Sequence, residues 1–223
     1  MMKQRGSITL FRYWNRLRAG RSAPRRSEIE PADIKSLLAD TFILEQDARG
    51  EAVFRLAGTR LCATYDRELK GASFASLWRQ TDHRLISRLA HGVFHHNAPV
   101  VMRLAATSVT QRPARFELLV LPLASENAGR RAIGVLSSVN TPFWLGADPI
   151  VDTMLEHVDL IDPDNGTIEA QLDLAEQRAE IAAPSLAPSA AALQPVDPLD
   201  GAVRIGHLLV LEGGRGDING RRL

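Results

Sequence analysis

The stretch that decides the fold is Phe54-Arg55-Leu56-Ala57-Gly58-Thr59-Arg60-Leu61-Cys62. Val53 to Leu56 reads as the end of a β-strand, and Gly58, which lacks a Cβ, lets the backbone turn sharply. Thr59 is placed to cap a short helix that carries Leu61 and Cys62 inward. Gly71 and a helical Phe74-Ala75-Ser76-Leu77-Trp78 follow. A strand that breaks at a glycine into successive short helices predicts a pocket wall rather than a solid core.

Outward from this stretch the pattern is regular. Thr41-Phe42-Ile43-Leu44-Glu45-Gln46 has the β-branched and aromatic content of a strand, and Asp47-Ala48-Arg49-Gly50 is a turn in which Gly50 is free to take positive φ. Residues 52–57 therefore pair back as a hairpin. Before them, Pro31 suits the first position of a short helix over 31–39 that carries Ile34, Leu37 and Leu38. After them, Leu85, Ile86, Leu89, Ala90, Val93 and Phe94 recur at helical spacing over 82–97, and Asn97 and Pro99 stop that helix. Three strands follow at about 99–109, 114–123 and 131–144, with turns at Arg112-Pro113 and Asn127-Ala128-Gly129. An antiparallel meander is their simplest topology. Two strands, several helices and three strands predict an α+β fold: a five-stranded antiparallel sheet with helices over one face.

At the start of the chain, Ser7 is a candidate cap, and Ile8, Phe11, Trp14 and Leu17, with Leu10, form one apolar stripe. This predicts an amphipathic helix over 8–19, which Gly20 ends. The helix packs either on its own domain or on a partner subunit; in the second case Phe11, Trp14 and Leu17 are the interface.

Three motifs together, Tyr13-Trp14-Asn15-Arg16-Leu17-Arg18, Pro24-Arg25-Arg26 and the stretch from Phe54 to Cys62, give the chain a resemblance. Over about residues 10–145 it resembles the PAS-like family of small alphaproteobacterial proteins. The resemblance implies the PAS element order, which agrees with the pattern read above. It also implies a sensory or regulatory role in bacterial signalling, by ligand or partner binding. No kinase, cyclase or DNA-binding effector is read in this chain, so it is expected to act through another protein, with a homodimer or a signalling partner as candidates, or to serve as a stand-alone sensor. The expectation is a protein that is not an enzyme. The runner-up is a small-molecule-binding enzyme on an α+β cone-like fold, which needs a buried carboxylate facing the pocket; Glu45 and Glu117 are the candidates. A structural adaptor that uses only the sheet surface is a third class.

If the helices after Gly58 cover the sheet, apolar side chains from both line one cavity. The candidates are Leu61, Cys62, Phe74, Trp78, Leu89, Met102, Phe116, Leu118 and Val135. The ligand is not named by the residues, and neither is a cofactor. His91 and His95 stand at i, i+4, a spacing that lets two imidazoles share a metal, but no second ligand pair stands out and the histidines read as surface or helix-end residues. Some PAS domains hold haem through a histidine of this helix; neither His83 nor His91 sits in a flanking pattern that matches. Cys62 lacks the asparagine-rich surroundings of flavin-anchoring relatives and reads as a small apolar side chain. Asp162, Asp164 and Asn165 open like a calcium loop, yet Gly166 comes one position early and Asp173 stands where a glutamate is expected.

Charge is uneven although the net is only +1. Residues 1–26 carry eight basic side chains and no carboxylate, while 148–200 carries twelve carboxylates and Arg178. The basic start, interleaved with Phe11, Trp14 and Leu17, reads as a solvated or protein-facing surface, and a nucleic acid is not favoured. The acidic segment is either a solvated tail that aids solubility or a shield for it. Residues 1–40 form a basic N-terminal helical part, 41–145 the core, and 146–223 an acidic tail. In that tail the pattern predicts helices over 150–161 and 167–181, an Ala/Pro linker over 182–200, and an apolar strand from Ile205 to Leu211 that docks on its own domain or a neighbour. No run approaches the ~20 apolar residues of a membrane span. The start lacks the pattern of a secretory signal, and the single cysteine precludes an intramolecular disulfide, so the cytoplasm is the expected compartment.

Overall fold

The computed structural model describes residues 2–124 and 129–165, and the backbone of 202–205 and 208–211. The chain divides into two compact units, Met1–Ala182 and Ala183–Leu223. In the first, helix α1 (Arg5–Arg18) leads through short 3-10 turns at Arg26–Glu28, Pro31–Ile34 and Leu38–Asp40 to strands β1 (Thr41–Gln46) and β2 (Ala52–Ala57). Helix α2 (Thr59–Tyr65), a 3-10 turn (Phe74–Leu77) and helix α3 (His83–His96) come next. Strands β3 (Val100–Ser108), β4 (Pro113–Leu123), β5 (Arg131–Ser138) and β6 (Ile150–Leu160) complete the unit. They form one antiparallel sheet in the order β2-β1-β5-β4-β3-β6. The fold is α+β and PAS-like, with six strands where the pattern predicted five.

The sixth strand replaces the helix expected over 150–161. β6 pairs with β3 from Val100↔Leu160 to Ser108↔Ile150, with register shifts opposite Arg103/Leu104 and Thr107/Ser108. Each shift leaves an extra residue on β6, Glu156 and Val151, and resets the inward and outward alternation. The inward positions thus become Ile150, Thr153, Leu155 and Val158, a spacing of three, two and three that imitates a helical stripe.

The connector between α2 and α3 engages both sheet edges. On the β2 side, Phe54 donates its N–H to Ala72 O at 2.9 Å and accepts from Gly71 N at 2.7 Å. On the β6 side, Arg79 N donates to Thr153 O at 2.9 Å, and Leu155 N donates to Asp82 Oδ2 at 3.0 Å. Unpaired strand edges invite pairing with other chains, and here one segment engages the middle of both. In crossing from edge to edge it also drops Phe74, Leu77 and Trp78 into the concave face.

That face is solid. Phe42, Phe54, Phe74 and Trp78 pack in a cluster whose paired ring centroids lie 5.6 to 6.1 Å apart. Burial of each such ring stabilises by roughly 1.5–3 kcal/mol. Gly134, the cross-strand neighbour of Phe42, makes room for it: a Cβ there would overlap Phe42 Cζ and lie 2.6 Å from Leu119 O.

α1 covers the opposite face. Ile8, Leu10, Phe11, Tyr13 and Trp14 are buried against Val101, Leu119, Leu121, Ile133 and Val135. Trp14 Nε1 donates to Pro122 O at 2.7 Å. The helix thus packs on its own sheet. Phe11 and Trp14, 1% and 0% exposed, are closed to a partner subunit, and Leu17 is half-buried at the margin.

Gly58 differs from its reading. Its φ of −69° and ψ of 156° are open to any residue, and it is itself the N-cap of α2, with no side-chain cap bond. The glycine is required sterically, because a Cβ would overlap the carbonyl oxygens of Leu38 and Ala39. In the second unit, β7 (Ala202–Ile205) pairs antiparallel with β8 (Leu208–Leu211), so the apolar segment pairs with its immediate neighbour in sequence. The helix and linker expected over 167–200 lie outside the described residues. No helix among the described residues is long and apolar enough to cross a membrane.

Gly134→Ala is expected to destabilise by about 1–3 kcal/mol through overpacking against Phe42. Gly92→Ala on α3, with no atom within 4 Å of the new Cβ, is expected to stabilise by up to about 1 kcal/mol. Urea titration of the two variants checks the contrast; equal effects would contradict the role given to Gly134.

Candidate functional site

An open space lies at one end of the sheet, where β5 runs three residues beyond its last partner on β1. Thr41 pairs with Val135, while Leu136, Ser137 and Ser138 keep only β4 beside them. Val139 N bonds to Arg115 O on β4 at 2.9 Å. By strand alternation the backbone groups of Leu136 and Ser138 point the other way, into the notch. A cavity of about 600 Å³ fills it.

Four segments wall this cavity. The first turns of α1 supply Arg5, Gly6 and Thr9, and a Cβ on Gly6 would stand 2.5 Å from Ser137 Oγ, so the glycine lets the helix approach β5. The turn before β1 supplies Ser36, Leu37 and Asp40. α2 supplies Arg60, Leu61 and Thr64, and the loop after β5 supplies Thr141 and Leu145. Phe116 and Leu136 form part of the apolar floor.

Local bonds hold these walls. Glu117, only 1% exposed, accepts from Lys3 N at 2.8 Å and Gln4 N at 3.0 Å, placing a carboxylate at the positive end of α1. At the other end, the buried Arg18 lies over the Trp14 ring at 5.6 Å and reaches Pro163 O and Asp164 Oδ1, each at 2.8 Å. Arg60 Nη1 donates to Asp40 Oδ2 at 2.5 Å. Burial pushes the Asp40 carboxyl above its usual range against the pull of Arg60. The loop carrying Thr141 and Leu145 is pinned at Asp148, which accepts from Thr110 Oγ1 and from Ser108 Oγ at 2.7 Å. Those two bonds hold the Asp148 carboxyl below its usual range.

Of the nine pocket residues read from the sequence, Leu61 and Phe116 line this cavity. Phe74 lines a second one of about 410 Å³ between β2 and α3. Trp78, Met102 and Leu118 are buried in the solid core of the concave face, and Cys62 and Leu89 pack half-buried against it. Val135 faces the opposite side of the sheet, under α1. The pocket expected under the helices is thus occupied by the aromatic cluster. Glu117 faces α1 and Glu45 pairs with Arg55 at 2.9 Å; neither lines the cavity, so the buried carboxylate that the enzyme reading needs is not supplied by them.

The histidines of α3 stay outside the cavity. His91 and His95 stack at 3.9 Å with an interplanar angle of 5°, and His83 Nε2 lies 2.9 Å from Trp78 O. Desolvation, the Arg130 charge and the neighbouring imidazoles hold His95 below the usual histidine range. Among the described residues no group of three or more His, Cys, Asp or Glu is arranged to hold a metal ion.

Arg5, Ser36, Asp40, Arg60, Ser137, Ser138 and Thr141 were missed by sequence reasoning. Each reads as an ordinary turn or helix-end polar residue, and only the failure of β1 to pair along the end of β5 brings them together.

Sheet order, element order and the helix across the outer face agree with a sequence comparison. The family model for the PAS domain matches residues 2–137, and the chain belongs to this family. No curated protein sequence matches it significantly.

Glu117→Ala leaves the amides of Lys3 and Gln4 without their acceptor, an expected cost of about 1–3 kcal/mol. Hydrogen exchange should quicken first in the opening turn of α1. Unchanged protection there would contradict the anchoring role.

Proposed function

We propose that the chain is a sensory or regulatory PAS protein that takes a small molecule in the cavity at the end of β5 and reports its occupancy to a partner protein through α1. Family membership supports the sensory and regulatory role. The observation that carries the finer reading is the position of the cavity. It is walled by the start of α1, and the far end of the same helix is tied by Arg18 to Pro163 and Asp164, just beyond β6. A ligand that displaces Arg5, Gly6 or Thr9 therefore acts on an element whose other end holds the segment leaving the sheet. Three of the basic side chains of this region are already engaged within the chain, Arg16 with Asp33, Arg18 with Asp164 and Arg21 with Glu28, which leaves fewer of them for a phosphate backbone and favours a protein or small-molecule partner. Self-association through Phe11 and Trp14 is not part of this reading, because both are buried against the sheet.

Thr141 is exposed at the cavity wall, so Thr141→Trp narrows the cavity without entering the core. A screen of small molecules by thermal shift is expected to find compounds that stabilise the wild type and not this variant. A ligand at a hundred times its Kd contributes about 2.7 kcal/mol. Compounds that stabilise both proteins equally, or none that stabilise the wild type, would contradict the proposal.

A further inference from the structure

We infer that the cavity takes an anion: a molecule with a carboxylate or phosphate head on an apolar body. This rests on the reading of the cavity as a ligand site and adds the chemical class of its ligand.

Arg5 carries a guanidinium with no hydrogen bond or ion pair among the described residues. Ser138 Oγ is buried without a partner. Thr9, Ser36, Ser137 and Thr141 add further hydroxyls, and Leu136 and Ser138 turn their backbone groups toward the same space. Against these donors stands one carboxylate, Asp40, and Arg60 already engages it. Ser138 Oγ is the lining donor that is buried without an acceptor, at a cost; Arg5, Arg60 and Thr141 are exposed, and an oxygen-rich anion can gather them in charge-assisted bonds. Two guanidiniums facing one carboxylate also leave the walls with an excess positive charge. Leu61, Phe116, Leu136 and Leu145 leave the remainder of the surface apolar, which suits the body of the ligand rather than its head.

Asp40 sets the strength of the site. It competes with a bound anion for Arg60 and repels it directly. Its removal as a charge, by Asp40→Asn, frees the guanidinium for the ligand.

The test uses two fluorescent probes of similar apolar bulk, the anionic 1-anilinonaphthalene-8-sulfonate and the neutral N-phenyl-1-naphthylamine. The sulfonate is expected to bind the wild type, and more weakly, by about tenfold, in Arg5→Ala and in Arg60→Ala, since charge-assisted bonds are the strong ones. Asp40→Asn should tighten it severalfold, and Thr141→Trp should exclude it. Binding of the neutral probe should not respond to the arginine changes. Displacement by phenylacetate against phenyl phosphate then separates the two head groups. Sulfonate binding that ignores both arginines and Asp40 overturns the inference. If the neutral probe binds, is excluded by Thr141→Trp, and the sulfonate does not bind, the cavity is a ligand site of another class. If neither probe binds, the ligand-site reading falls with the inference.

Discussion

The ring of Phe42 lies over the place where Gly134 has no side chain, and the rest of the structure follows from that contact. With Phe42 set low on the sheet, Phe54, Phe74 and Trp78 close over it and fill the concave face. Protein interiors are packed to the density of organic crystals, so four large rings in contact leave no ligand-sized space among them. Open space lies instead beside the cluster, between β2 and α3, and at the end of the sheet, where β5 outruns β1. The same cluster anchors the connector that crosses the face and engages both sheet edges.

The other face of the sheet belongs to α1. α1 is held at its start by the buried carboxylate of Glu117 and at its end by the buried guanidinium of Arg18. Between these points it is fixed by Phe11, Trp14 and the bond from Trp14 to Pro122. Its first turns form one wall of the cavity, and its last residue reaches the chain just beyond β6. The helix is thus held at both ends and borders the cavity near one of them, the buried Arg18 meeting an exposed Asp164 at the other. Asp164, in the acidic segment, meets the basic N-terminal region at that pair.

Much of the fold was legible. The hairpin of β1 and β2, α3 with its stop at Asn97, and the β3-β4-β5 meander all follow from alternation, helical spacing and turn residues. β6 was not, because its two extra residues turned a period of two into an apparent helical stripe. The apolar stripe of α1 was read correctly as a stripe, but a stripe states only that something covers it. Whether that cover is the helix's own sheet or another chain is settled by tertiary packing, here against Leu119, Leu121 and Val135. The cavity was the least legible feature. Sequence patterns report the pairs that strands make, and this site exists where a strand lacks one. Gly58 is legible as a position of special backbone need, but crowding by the Leu38 and Ala39 carbonyls, not a special φ, is what requires glycine.

The central claim is that ligand space lies at the end of β5 and not under the aromatic cluster. Methyl-detected NMR of leucine- and methionine-labelled protein, titrated with the sulfonate probe, tests it most directly. The account predicts shifts concentrated at Leu61, Leu136 and Leu145, with Met102, Leu104 and Leu118 unmoved. Shifts centred on Met102 and Leu118 would place the ligand within the concave core and contradict it.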